Sequence, residues 1–374
     1  MPAPRRVLMT ADAVGGVWRY ALDLAAALRA RGTSTVLAVL GPGPSEAMRR
    51  EAEECCEAVA TFPCRLEWMD DPWEDVDAAG VWLQELAAGW PSDVIHLNGF
   101  AHASLDWDRP VVVVAHSDVS SWWRAVHQCA PPPDRDEYRA RVRRALADAD
   151  AVVAPSHAMA AALAQEYGPV TARVIPNGCA LAASQPRGRA KTPMIFAAGR
   201  LWDQAKNIAA LCAIAPGRAW PVYVAGDASL AEGGRTPLQN VTHLGVLAAA
   251  DVQQWMASAA IYALPARYEP FGLSILEAAT AGCALVLGDI PSLREHWEGA
   301  ALFVPPEDSE ALATVLDRLI ADASLRDRLA AAAVERSQHF TTAAMARRYE
   351  DLYRDVLTAA ESSSILASVA EGRR

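Results

Sequence analysis

A chain of 374 residues is roughly twice a single-domain length, and 52% hydrophobic with 21% charged residues supplies material for two packed cores. The formal net charge of −11 argues against nucleic acid as the main partner, and no run approaches the ~18 apolar residues that a membrane span requires. Met1–Arg6 leads straight into a strand-like run, so we expect a cytoplasmic protein without a signal peptide, at most peripheral to a membrane.

Seven cysteines are scattered without C-x-x-C spacing, which gives neither a disulfide framework nor a metal set. Arginine supplies nearly all the basic residues; the only lysines are Lys191 and Lys206.

In chain order, the run Arg6–Thr10 predicts a first strand, followed by Gly15-Gly16 and a helical pattern from Val17 to Arg31. Further short apolar runs at Thr35–Leu40, Asp93–Leu97, Val111–Ala115, Ala151–Ala154 and Ala172–Ile175 alternate with helical stretches, the pattern of a parallel sheet covered on both faces. Residues 1–178 therefore read as one Rossmann-like domain. Cys179–Thr192, rich in Ser, Gln, Pro and Gly, reads as a linker.

A second alternation occupies 193–340, with strands expected at Pro193–Ala198, Trp220–Ala225, Val241–Leu244, Ile261–Leu264, Ala284–Leu287 and Ala301–Val304. From Ser309 to Ala360 the pattern is helical throughout, its last stretch (341–358) a separate C-terminal helix. The polar 361–374 reads as a frayed tail. The expectation is an α/β protein of two doubly wound domains facing each other across a cleft, with ligands beyond the carboxyl ends of the strands.

The strongest chemical signal is Arg267-Tyr-Glu269-Pro-Phe271-Gly272-Leu273-Ser-Ile-Leu-Glu277 after a strand. Gly272 allows close backbone approach, and a helix opening near Leu273 presents free N–H groups and a positive dipole end to an anion such as a diphosphate. Glu269 and Glu277, acceptor-only carboxylates, suit the hydroxyls of a sugar and a ribose. Ser274-x-x-Glu277 also matches a capping box, which would make Glu277 a helix-start residue only.

Gly199-Arg200-Leu201 with Lys206-Asn207 follows another strand and offers a guanidinium fork and an ammonium to a pyrophosphate; the plainer reading is a solvated loop. Gly15-Gly16 with Arg19 opens a third anion-friendly turn, without the G-x-G-x-x-G of a dinucleotide site. His116 ends a strand, and Trp122-Trp123 soon after offers flat faces for an acceptor, although both also fit ordinary packing. No D-x-D segment lies near either phosphate motif, and no metal ligands are expected.

Taken together, Glu269-x7-Glu277, Gly199-Arg200-Leu201…Lys206, Gly15-Gly16 with Arg19, Pro155-Ser156 and Pro176-Asn177-Gly178 resemble glycosyltransferase family 4, retaining enzymes of the GT-B fold. The resemblance implies that Glu269 holds donor-sugar hydroxyls, with amides of Phe271, Gly272 and Leu273 on sugar and phosphate. It gives Glu277 to the ribose, Arg200 and Lys206 to the leaving diphosphate, Gly16 to the phosphates and His116 to the sugar. The Gly245-Val246 region would border the base. Arg19, Trp122 and Trp123 are candidates for the acceptor side.

The implied reaction moves a hexose from a UDP- or GDP-sugar to a carbohydrate or other hydroxyl acceptor, with no cofactor and no metal. An inverting transferase, a nucleotide-sugar epimerase and a non-catalytic sugar or nucleotide binder are the alternatives. Two departures stand out: Asn207 follows Lys206 where many members carry Gly, and Asp118 lies one place later than the relatives' His-Asp pair.

Overall fold

The computed structural model describes residues 3–180, 191–229 and 234–371, with side chains as far as Ser362. Of the expected 179–192 linker, 181–190 lie outside the described residues. The chain divides into two units: one holds the residues up to Ser121, Ala130–Gly178 and everything from Thr342 onward, the other Trp122–Cys129 and Cys179–Thr341.

The first unit contains β1 (Arg6–Asp12), α1 (Gly16–Arg29), β2 (Ser34–Leu40), α2 (Glu46–Cys55), β3 (Ala58–Phe62), α3 (Trp73–Gly89), β4 (Val94–Leu97) and β5 (Val111–Val114). Helix α4 (Val119–His127) runs from this unit into the segment grouped with the other. Then come α5 (Asp136–Asp148), β6 (Ala151–Ala154), α6 (His157–Tyr167) and β7 (Ala172–Val174).

Its seven strands are parallel, in the order β3-β2-β1-β4-β5-β6-β7. Val7, Leu8 and Met9 of β1 are fully buried, as are Val112 and Val113 of β5. A strand covered on both faces needs consecutive apolar residues, which is why these runs are legible in the sequence. Strand β3 was not anticipated. It is an edge strand whose five residues are only half-buried or exposed, so no continuous apolar run marks it.

The second unit contains β8 (Thr192–Ala198), α7 (Ile208–Ile214), β9 (Val222–Ala225), β10 (Thr242–His243), α8 (Ala249–Ser258), β11 (Ala259–Leu264) and α9 (Leu273–Thr280). It continues with β12 (Ala284–Gly288), α10 (Pro291–Trp297), β13 (Ala301–Val304), α11 (Ser309–Ala321) and α12 (Ala323–Ser337). All six strands are parallel, in the order β10-β9-β8-β11-β12-β13.

Strand alternation sends Ile195, Ala197, Ile261, Ala263 and Val286 into one buried cluster and Phe196, Tyr262, Leu264, Leu285 and Leu287 into another. Each fully buried large side chain contributes about 1.5–3 kcal/mol relative to exposure.

The stretch expected to be helical throughout is three helices. Asp322 breaks the first run by capping α12, its Oδ1 accepting from Leu325 N at 2.8 Å, and the last helix, α13 (Thr342–Glu371), starts anew after residues 338–341. It also runs to Glu371 where a frayed tail was expected: 359–371 contains no Gly or Pro to stop a helix. In the first unit, α13 sends Tyr349 and Tyr353, both fully buried, toward Tyr20 and His96, and Glu350 pairs with Arg31 at 2.6 Å.

In each sheet the strand order reverses once, between β1 and β4 and between β8 and β11. The connections there leave in opposite directions and open a crevice at the carboxyl ends, the usual ligand position in open α/β sheets.

Candidate active site

In the second unit, the loops after β8 and β11 flank the reversal point and carry the two strongest sequence motifs. Lys206 ends a 3₁₀ turn (Gln204–Lys206), and its Nζ donates to Glu269 Oε2 at 2.6 Å. Their side chains are only 14% and 13% exposed, so this is a largely desolvated pair, and the solvated-loop reading of Lys206 is set aside.

Asn207 follows at φ 56°, ψ 38°, the left-handed region where L residues other than Asn and Asp are strained. The departure from Gly thus keeps the backbone the turn requires. Asn207 Nδ2 donates to the carbonyls of Pro265 (2.9 Å) and Pro306 (2.7 Å), fastening this turn to the loops after β11 and β13.

Asp203, which the sequence reading passed over, organises the cations. Its Oδ2 accepts from Arg200 at 3.0 Å, and its Oδ1 accepts from Ala205 N and from Trp122 Nε1, both at 2.9 Å. Burial pushes its carboxyl up, but the charges of Lys206 and Arg200 and these hydrogen bonds outweigh burial and hold it below the usual range. The missed signal is spacing: an aspartate three residues from each cation.

Trp122 and Trp123, expected on the first domain's acceptor side, lie in the segment grouped with the second unit, and Trp122 is committed to Asp203. Their rings pack on each other and on His127 at 4.3–6.2 Å.

Helix α9 begins at Leu273 with Gly272 as its cap at φ 90°, ψ 69°. A Cβ at Gly272 would stand 2.6 Å from Ile275 Cδ1 and 3.3 Å from Glu269 Cγ, so Gly272 sets both the turn and the approach of Glu269. Ser274 lies inside the helix, with Oγ 2.8 Å from the Tyr262 hydroxyl, which excludes it as a cap; Glu277 is the fifth helical residue and not a capping-box partner.

Phe271 is buried edge-on against His296 (4.9 Å) and Phe340 (5.6 Å), and Ser292 Oγ donates to the Glu269 carbonyl at 2.6 Å. The loop is held from both sides. Val246, 76% exposed, follows Gly245, whose carbonyl accepts from Gly226 N at 2.8 Å.

In the first unit Gly16 opens α1, while Arg19 is paired with Asp23 and Glu51 at 2.6 and 2.9 Å. Half-buried His116 donates from Nε2 to Asn98 Oδ1 at 2.8 Å. Asn98 is placed by its amide N, which donates to Thr10 Oγ1 (2.9 Å), and by Nδ2, which donates to Thr10 O (2.6 Å). His96 Nε2 lies 3.2 Å from the same oxygen, leaving Nδ1 to accept from Tyr353 at 2.7 Å.

Burial lowers both rings: His96 to about 4, and His116 to about 3 with added repulsion from His96. Asp118 lies elsewhere, its Oδ1 accepting from Ser120 N and Ser121 N at the start of α4 and from the Tyr167 hydroxyl at 2.8 Å. Its late position relative to His116 therefore has a helix-capping explanation.

A stability prediction follows from the two histidines. Below pH ~6.5 the unfolded chain binds protons that the native rings refuse, so stability falls with pH down to about 4, by about 1.4 kcal/mol per pH unit and ring. Burial raises Glu67 and Asp118, which oppose this trend, so the readout is a difference between proteins. Thermal melts from pH 7 to 4.5 should show a shallower acid slope in His96→Gln than in the parent; equal slopes contradict the assignment.

Among the described residues no group of three His, Cys, Asp or Glu is placed to hold a metal, and no helix is long and apolar enough to cross a membrane.

Two family models match the chain: Glycosyltransferase Family 4 over residues 14–182 and Glycosyl transferases group 1 over 192–322. A D-inositol 3-phosphate glycosyltransferase of Jonesia denitrificans is 31% identical over 121 residues, 32% of this chain and 27% of that protein. An O-antigen chain mannosyltransferase B of Escherichia coli is 30% identical over 101 residues, 27% of this chain and 26% of that one. The matched segments thus span about a quarter of these relatives' own length.

Among solved structures, a sucrose-phosphate synthase of Thermosynechococcus elongatus superposes with TM-score 0.76 at 20% identity, covering 95% of this chain and all of the other. Anabaena HepE in complex with UDP and glucose gives 0.73 at 21%, covering 94% of this chain and all of HepE. At these identities the likeness is one of fold, the pair of Rossmann-like domains of the GT-B class.

Proposed function

We propose, for a chain that belongs to glycosyltransferase family 4, that it transfers a hexose from a nucleoside-diphosphate sugar to a hydroxyl acceptor, with retention and without a metal ion. The observation that carries this reading is the Lys206–Glu269 contact of 2.6 Å at the strand-order reversal, beside a helix start that Gly272 keeps open. Glu269 can accept from donor-sugar hydroxyls while Lys206, one bond away, meets the departing diphosphate. Arg200, held through Asp203, supplies a second positive group, and the free amides at the start of α9 a third.

Charge grows on the diphosphate as the glycosidic bond breaks. Preorganised cations and dipoles that meet it lower the barrier without reorganising, which is the task a divalent ion performs elsewhere. The acceptor loses its proton to a diphosphate oxygen as its own oxygen bonds the anomeric carbon on the face the diphosphate leaves. Because neither carboxylate needs to attack that carbon, the arrangement differs from a retaining glycosidase with two carboxyls about 5 Å apart.

The HepE complexes with UDP and with UDP-glucose support a UDP-sugar as the first donor to try. We assign the work to the cytoplasm, with any membrane contact peripheral. The test is hydrolysis and transfer from UDP-glucose and GDP-mannose with EDTA present, the first-formed anomer read by proton NMR. The expected result is an α product at a rate EDTA leaves unchanged; a β product refutes retention, and loss of activity in EDTA refutes metal independence.

A further inference from the structure

Two groups assigned to the diphosphate come from different elements of the second unit: Arg200 follows β8, and the amides at the start of α9 follow β11. Their separation decides whether both reach one pyrophosphate. A buried tyrosine joins the two.

The last pair in the β8–β11 register is Phe196↔Tyr262, two residues short of Ala198. Beyond it the Tyr262 side chain takes up the connection. Its hydroxyl lies 3.1 Å from Ala198 O and 2.8 Å from Ser274 Oγ, and accepts from Ala198 N at 3.4 Å. The phenol proton serves Ala198 O while Ser274 donates back to the phenol oxygen, so both contacts are satisfied together. Ala198 immediately precedes Gly199-Arg200, and Ser274 is the second residue of α9.

Tyr262 is fully buried, its ring edge-on to Phe196 with centroids 6.2 Å apart. Burial pushes the hydroxyl up, and the charges of Glu277 and Glu269 push it the same way against its two hydrogen bonds. It therefore keeps its proton at neutral pH, and both motif carboxylates lie within electrostatic reach. Phenylalanine would fill the same core volume. What the hydroxyl adds is a fixed link, because a buried O–H is stable only with its partners in place.

We propose that Tyr262 is a positioning residue for the transfer: through one oxygen it holds the residue before the Arg200 turn and the first turn of α9 at a set separation. The proposal rests on the transferase reading, and adds to it the residue that aligns two grips on the departing diphosphate. A misplacement of about 1 Å between such groups costs about 10²-fold in rate, and loss of one hydroxyl should cost less than that.

The test is steady-state transfer by Tyr262→Phe from whichever of UDP-glucose and GDP-mannose the wild type accepts, at a temperature where circular dichroism shows the variant folded. kcat should fall about tenfold with the donor KM within about twofold, because the diphosphate carries more charge in the transition state than in the bound donor. The matching nucleotide, UDP or GDP, carries that charge in full and should bind about tenfold more weakly by calorimetry. Ile261→Val is the control. Ile261 precedes Tyr262 on β11 but faces the other buried cluster, and its variant should lose a similar roughly 2–4 °C of melting temperature with kcat and nucleotide affinity unmoved.

Ser274→Ala severs the α9 side of the link alone and should reproduce the loss, and the double variant should lose less than the product of the two. If Tyr262→Phe does not fold, Ser274→Ala decides on the same readouts. A kcat within twofold of wild type in the folded variant, or an equal fall in Ile261→Val, overturns the proposal. A wild-type protein that transfers nothing, yet whose nucleotide affinity drops in Tyr262→Phe and not in Ile261→Val, counts against the transferase reading and for the link.

Discussion

Replacing Lys206 with alanine is expected to lower transfer about 10²- to 10³-fold, mostly in kcat. The ammonium sits on Glu269 at 2.6 Å with little exposure, so water that fills the gap supplies only part of the lost stabilisation. Removing one preorganised group that meets developing negative charge costs about 2.7–4 kcal/mol in barrier height. The effect falls on kcat because charge on the diphosphate is larger in the transition state than in the bound donor.

Lys206→Arg should not restore the rate. A planar fork replaces a point charge at the end of a 3₁₀ turn whose backbone is fixed by Asn207 and its two proline carbonyls. Adding Glu269→Gln to Lys206→Ala should cost much less than the sum of the single losses, because the two groups act as one unit. Steady-state transfer by the two Lys206 variants, by Glu269→Gln and by the double variant checks this. Activity of Lys206→Ala within threefold of wild type rejects the assigned role.

Gly226→Ala should damage the second unit as a whole. Gly226 follows β9 at φ 139°, and a Cβ there would lie 1.8 Å from the carbonyl oxygen of Gly199. Neither side can yield cheaply. Gly226 N donates to Gly245 O at 2.8 Å, Gly199 N to Ala225 O at 3.0 Å, and Leu201 N to Asp227 O at 2.8 Å. A methyl group must therefore push β8 and β9 apart at their carboxyl ends, and Arg200 is the next residue along.

Strain of this kind costs about 3 kcal/mol or more, which lowers the melting temperature by roughly 6–12 °C in a unit of this size. Donor affinity should fall with it, as the loop carrying Arg200 shifts. Circular dichroism melts and UDP titration measure the two effects, and a variant melting within 2 °C of wild type would show that the close approach is absent in solution.

Much of this could be read from the chain before any coordinates. Buried parallel strands need unbroken apolar runs, so β1, β5, β8 and β11 announce themselves, whereas half-exposed β3 does not. Gly272, Glu269 and Lys206 were legible because a helix start, a carboxylate and a rare lysine each carry a local signature. Asn98 and Glu67 carry none, and Asp203 carries only its spacing of three residues from each cation. Their roles come from partners distant in sequence: Trp122 for Asp203, His116 for Asn98, and the amides of Phe100 and Ala101 for Glu67. Spacing misled in one place. Ser274 and Glu277 match a capping box, yet the helix starts two residues too early for it, because Gly272 can adopt a left-handed cap.

Helix α13 has a bearing on how the protein is made. Tyr20 and His96, both far earlier in the chain, count Tyr349 and Tyr353 among their ring and hydroxyl partners. A nascent chain leaving the ribosome has every segment of the unit that ends at Thr341 before it has the last helix of the unit that begins the sequence. The order of completion during synthesis is thus the reverse of the order of coding, and a stop codon shortly before Thr342 would spare one sheet's assembly while leaving the other's interior open.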